Sequence, residues 1–120
     1  MKRMEQGWGG HYCCADRCLF RRNTLLKKDN VRIIISTVGN KLNIDPCGEH
    51  IDMIGSDRYY ETKVFHAEKH GEYWEANVMR ELNVDSPSTL SKPCADLEAN
   101  NMHEAVVNEI EVKLIYGIML

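Results

Sequence analysis

The run Val31-Arg32-Ile33-Ile34-Ile35-Ser36-Thr37-Val38 is β-branched almost throughout, and it commits the chain to a sheet. Branched side chains lose rotamer freedom in a helix but pack well on a pleated surface. The run reads as the central strand of the fold, stopped by Gly39-Asn40. Everything else in these 120 residues must be arranged around it.

Upstream, His11 to Cys14 and Cys18 to Leu26 read as short strands joined by Ala15-Asp16-Arg17. Residues 41–57, with Pro46, Gly48, Gly55 and scattered acids, read as a loop holding at most a short extended piece around Ile51 to Ile54. Arg58 to Glu68 and Tyr73 to Val84 form the two arms of an expected hairpin closed at Lys69-His70-Gly71-Glu72. If Lys69 faces Glu72, alternation puts Trp74, Ala76, Val78, Arg80 and Leu82 on one face with Ala67, Phe65, Lys63, Glu61 and Tyr59, and sets Arg80 across from Glu61.

After the turn-rich connector Asp85-Ser86-Pro87-Ser88-Thr89 the pattern becomes helical. Met102, Val106, Ile110 and Leu114 recur every four residues with Ala99 and Val107 beside them, while Asn101, Glu104, Asn108 and Glu111 mark a solvated side. Gly117 is the expected stop, leaving the apolar tail Ile118-Met119-Leu120 as a plausible subunit contact. The expected fold is α+β, a single domain over 1–120 with an antiparallel β-sheet and one long C-terminal amphipathic helix packed on one face.

Charge is split along the chain. Residues 1–41 hold nine Lys/Arg against three acids, whereas residues 42–120 hold six against fifteen, so the net charge of −3 hides a cationic segment. A compact cationic segment suits an anion, and the acidic remainder would repel a long polyanion, so a small phosphate ligand fits better than DNA or RNA. The N-terminus lacks the apolar run of a secretory signal, and no stretch approaches the roughly 18 apolar residues of a membrane span. Five cysteines without disulfide-scaffold spacing fit a reducing compartment and free thiols, so a cytosolic protein is expected.

Catalytic patterns are weak. His66-Ala67-Glu68 followed by Pro93-Cys94-Ala95-Asp96-Leu97 has the outline of a zinc nucleotide deaminase, but Leu97 stands where the second cysteine is needed, and His66 and Glu68 fall at a strand end. A zinc site from Cys13, Cys14, Cys18 and His11 meets the objection that adjacent cysteines on a strand point to opposite sides; Cys47 and His50 fare no better. No phosphate-binding loop, dinucleotide turn, nucleophile elbow or zinc-protease helix pattern occurs. Neither a cofactor nor a metal is expected, and a binding protein is favoured over an enzyme.

The basic block Arg17 to Lys28, with Arg21 and Arg22 at its centre, supplies guanidinium groups for phosphates or simply a solvated strand edge. Arg80 and His103 stand where apolar residues are expected, and a buried charge must be paired. Their plain explanations are Glu61 as a partner for Arg80 and a hydrogen-bonded core role for His103. The functional alternative gathers Arg21, Arg22, Arg58, Trp74, Arg80, Asn100 and His103 around a ligand pocket between sheet and helix, with Trp74 as a stacking plate and Asn100 reading a base edge or ribose.

Gly7-Trp8-Gly9-Gly10-His11, Ala15-Asp16-Arg17-Cys18-Leu19-Phe20-Arg21-Arg22-Asn23-Thr24-Leu25, Arg58-Tyr59-Tyr60-Glu61-Thr62 through Phe65, and Glu98 to Val107 together resemble the first type of phage-encoded Thoeris anti-defence protein. The resemblance implies a non-enzymatic sponge in the host bacterial cytoplasm, a homodimer or hexamer. It would sequester the glyco-cyclic ADP-ribose made by TIR-domain proteins, and some relatives also take cyclic oligonucleotides. The candidate site residues rest on their chemistry, not on the resemblance. Cys13-Cys14 and the acidic 45–57 segment depart from the family pattern. The alternatives are a deaminase-like enzyme using His66 and Glu68, and a protein-binding phage inhibitor acting through the apolar C-terminus.

Overall fold

The structure, a computed structural model, describes residues 1–118 and 120. Met119, part of the apolar tail, lies outside the described residues. The elements are β1 (Lys2–Gln6), β2 (Cys18–Lys28), β3 (Val31–Asp45), β4 (Gly48–Asp52), β5 (Tyr60–His70), β6 (Tyr73–Leu82), β7 (Thr89–Leu90) and α1 (Asp96–Ile115). One antiparallel sheet carries the strands in the order β1-β2-β3-β5-β6, with β4 paired to β3 and β7 to β5. The α+β architecture is the expected one.

The branched run is central, between β2 and β5. Leu26, Ile33, Ile35 and Val64 point to one face and pack against Val106, Val107, Ile110 and Leu114 of α1. Each such side chain contributes about 1.5–3 kcal/mol when removed from water. The helix ends as expected at Gly117, whose φ of +67° lets Ile118 N–H donate to Lys113 carbonyl at 2.8 Å and Gly117 N–H to Leu114 carbonyl at 3.2 Å. No helix among the described residues is long and apolar enough to cross a membrane.

Three local expectations are overturned. His11 to Cys14 form a turn leading into a 3₁₀ turn at Ala15–Arg17 rather than a strand. β3 does not stop at Gly39-Asn40. Asn40 takes φ +53° while its side chain holds the Tyr60 hydroxyl and the Cys94 amide, so the strand runs on and pairs with β4 through Leu42↔Ile51 and Ile44↔Glu49. Residues 41–52 are therefore mostly a hairpin.

The β5–β6 register also differs. His70 pairs with Tyr73 across Gly71-Glu72, Trp74 faces Lys69, and an irregularity between Phe65 and Ala67 shifts the later pairs to Phe65↔Glu81 and Val64↔Leu82. Arg80 is consequently exposed and not opposite Glu61, which instead pairs with Val38 and Thr89.

Candidate ligand cleft

β1 and β6, the two ends of the strand order, come together because twist accumulates across the sheet. The Gln6 side-chain amide donates to the Trp74 carbonyl at 2.8 Å. On the sheet face away from α1 this curl leaves a cleft of about 530 Å³, lined by Met4, Gln6, Trp8, Leu25, Lys27 and Trp74 among others. That volume is in the range of small-molecule sites. Both tryptophans of the chain line it, although 66 positions separate them.

Trp8 is carried on the segment Gly7 to Gly10 that lies across the same face. The Asn23 side-chain amide donates to the Trp8 carbonyl. His11 anchors the far end, its Nε2 donating to Glu61 Oε1 at 3.0 Å, so that in the neutral ring Nδ1 accepts from the Ser36 hydroxyl at 2.9 Å. The His11 hydrogen bond holds the Glu61 carboxyl below its ordinary range. Gly10 is required for this close approach, since a Cβ there would meet Val38 Cγ1 at 2.6 Å.

Two cations flank the Trp74 ring, Arg32 Cζ at 5.5 Å and Lys27 Nζ at 5.8 Å from its centroid. Such contacts contribute about 0.5–2 kcal/mol each. Lys27 belongs also to an adjoining trough of about 460 Å³ lined by Met1, Lys2, Lys28, Asp29 and Arg32. Lys28 Nζ is engaged by the Leu114 carbonyl at 2.9 Å, and Arg32 Nη1 donates to the Asp29 and Val31 carbonyls. Arg32 Nε is buried without a partner. Among the described residues no carboxylate pairs with Lys2, Lys27 or Arg32. The cleft itself includes Lys69 but also Glu72 and Glu75, so the positive potential is strongest at the trough end. Chemically this is an aromatic plate with unpaired cations beside it.

The seven residues expected around a sheet–helix pocket are not brought together there, because apolar side chains and the buried contacts of His103 with Thr24 and Thr37 fill that interface. Trp74 lines the cleft. Arg21 is exposed on β2, and Arg80 is exposed on β6. Arg22 is half-buried and held by Glu5 at 2.9 Å and by Glu104, which Arg3 also grips at 2.8 Å. The Arg3 hydrogen bond, seconded by that of Arg22, carries Glu104 down to about 2. Arg58 pairs with Glu61, leaving its own Nε buried without a partner. Asn100 is half-buried near the start of α1, and His103 is fully buried between Thr24 and Thr37.

The deaminase outline is not assembled either. His66 Nε2 donates to the Leu120 carbonyl at 3.1 Å, Glu68 takes the Asn77 amide at 2.6 Å, and the Cys94 amide donates to Asn40. Among the described residues no group of three or more His, Cys, Asp or Glu is placed to hold a metal ion.

Trp8, Lys27 and Arg32 were absent from the sequence-derived site. A signal was present, since a two-residue turn at Asp29-Asn30 necessarily sets Lys27 opposite Arg32 on one face. The partner of that pair, Trp74, arrives only through sheet curl, which local pattern does not encode. No protein-family model, curated protein or solved structure matches the chain.

Proposed function

We propose that the protein is a phage anti-defence sponge that captures a cyclic ADP-ribose-type signalling nucleotide in the bacterial cytoplasm and holds it unchanged. The observation that carries this reading is the convergence of both tryptophans on one cleft that shares Lys27 with an adjoining trough lined by Lys2 and Arg32. An indole face stacks on adenine, and unpaired cations take the pyrophosphate oxygens, so the two halves match the two chemical halves of such a ligand. Trp74 is the stacking plate, and Lys27 and Arg32 already lie within 6 Å of its ring centroid. The family resemblance of the sequence points the same way. Inhibition by capture depends on slow release rather than turnover.

Calorimetric titration against a panel of cyclic ADP-ribose isomers and cyclic oligonucleotides tests this. Saturable binding, with intact ligand recovered after heating the complex, supports it. Conversion of ligand under multiple turnover, or no binding to any member, contradicts it.

A further inference from the structure

Because residues 11–14 form a turn and not a strand, Cys13 and Cys14 present their sulfur atoms on the same side, 3.9 Å apart. Two sulfur atoms bound to one centre at about 2.3 Å are separated by about 3.4 Å at a pyramidal trivalent centre and about 3.8 Å at a tetrahedral one, so the pair needs to close by only about half an ångström to chelate. Cys13 is exposed and Cys14 half-buried, which leaves an approach from solvent. The third nearby thiol, Cys18, is withdrawn: its side chain packs with Ala15, Val38 and Ile54 and directs its sulfur to the Cys14 carbonyl at 3.9 Å. Burial pushes the Cys18 thiol up, which keeps it protonated. The ligand count offered is therefore two, and among the described residues no third His, Cys, Asp or Glu completes a larger set.

From this geometry we infer that Cys13 and Cys14 form a dithiol site for a thiophilic centre satisfied by two sulfur ligands, a monosubstituted trivalent arsenical being the matching chemistry. A harder ion such as Mg²⁺ prefers oxygen ligands, whereas soft thiolates select soft centres. Capture is a condensation without redox change. Two S–H bonds and the As=O bond of R–As=O are broken, two As–S bonds form, and the oxygen leaves with both protons as water. This site is independent of the nucleotide cleft.

Phenylarsine oxide is the probe, read by intact mass of the reduced full-length protein. One arsenic per chain is expected in the wild type, reversed by a 1,2-dithiol at least tenfold more effectively than by a monothiol. Cys13→Ser and Cys14→Ser should each abolish the adduct, while Cys47→Ser and Cys94→Ser retain it. Circular dichroism verifies that the two serine variants remain folded, and Cys13→Ala, at an exposed position, provides a second version. Absence of an adduct in the wild type, its survival in folded Cys13→Ser, or its dependence on Cys18 instead would overturn the assignment.

Discussion

Nδ1 of His103 lies 2.7 Å from the Thr37 hydroxyl in the interior of the sheet–helix interface. The proton order there is determined from one end. Thr24 donates its hydroxyl to Glu5 at 2.7 Å, so it must accept from His103 Nε2–H at 2.7 Å. Nδ1 is then bare and accepts from Thr37, which in turn accepts from Thr62 at 2.6 Å. His103 is a neutral imidazole with every polar atom satisfied.

Replacing it therefore tests structure, not ligand chemistry. His103→Ala leaves two buried hydroxyls with a lost partner and opens a cavity, which together should cost about 3 kcal/mol or more. Urea unfolding of the variant checks this through a lower midpoint at unchanged slope.

Burial, aided by the nearby Arg22 charge, pushes His103 down from 6.5 to about 4. A group whose pKa is lower in the folded state binds more protons when unfolded, so its contribution is complete above pH 6.5 and is lost as pH falls toward 4. The full loss is about 3 kcal/mol. Unfolding free energy measured across pH 7 to 4 should fall in wild type and fall less steeply in His103→Gln. Glu104 and Glu109, both held down to about 2, add acid sensitivity that sets in as pH falls through the ordinary carboxylate value of 4.5 and is complete only below about 2.

Gly39 lies against the ring of Tyr60, and a Cβ there would also sit 2.8 Å from the Tyr59 carbonyl. Both neighbours are fixed, since the Tyr60 hydroxyl donates to Asp96 at 2.7 Å and accepts from the Ala95 amide at 2.7 Å, and the Tyr59 carbonyl accepts from the Asn40 amide at 2.9 Å. Gly39→Ala should destabilise by about 2–3 kcal/mol from overpacking, visible as a lower thermal midpoint.

Arg22 stands between two carboxylates, Glu5 and Glu104. Removing it leaves Arg3 alone to span both acids, so Arg22→Ala should cost about 0.5–1 kcal/mol. A double-mutant cycle with Glu104→Gln should return a coupling of about 0.5–1 kcal/mol, and an NMR titration of Arg22→Ala should show the Glu104 pKa rising.

The fold was readable where side-chain chemistry is periodic. The branched run gave β3, the four-residue spacing from Met102 to Leu114 gave the buried stripe of α1, and Gly117 gave its end. It was obscured where one residue's tertiary bonds override its local preference. Asn40 looks like a strand stop, yet its ties to Tyr60 and Cys94 carry β3 onward. A turn closed at Gly71-Glu72 and an irregularity beside His66 together moved Arg80 away from Glu61, and with it a charge expected to be buried came to lie in solvent. The cleft depended on curl bringing β6 to β1, a property of the whole sheet.

The most direct measurement is calorimetric titration of cyclic ADP-ribose isomers into wild type, Trp74→Ala and Arg32→Ala, with the exposed and remote Lys92→Ala as control. Loss of stacking or of a phosphate-facing cation should each weaken binding tenfold to a hundredfold, with Lys92→Ala unchanged and the ligand recovered intact. Wild-type affinity in folded Trp74→Ala and Arg32→Ala would contradict the assignment of this cleft.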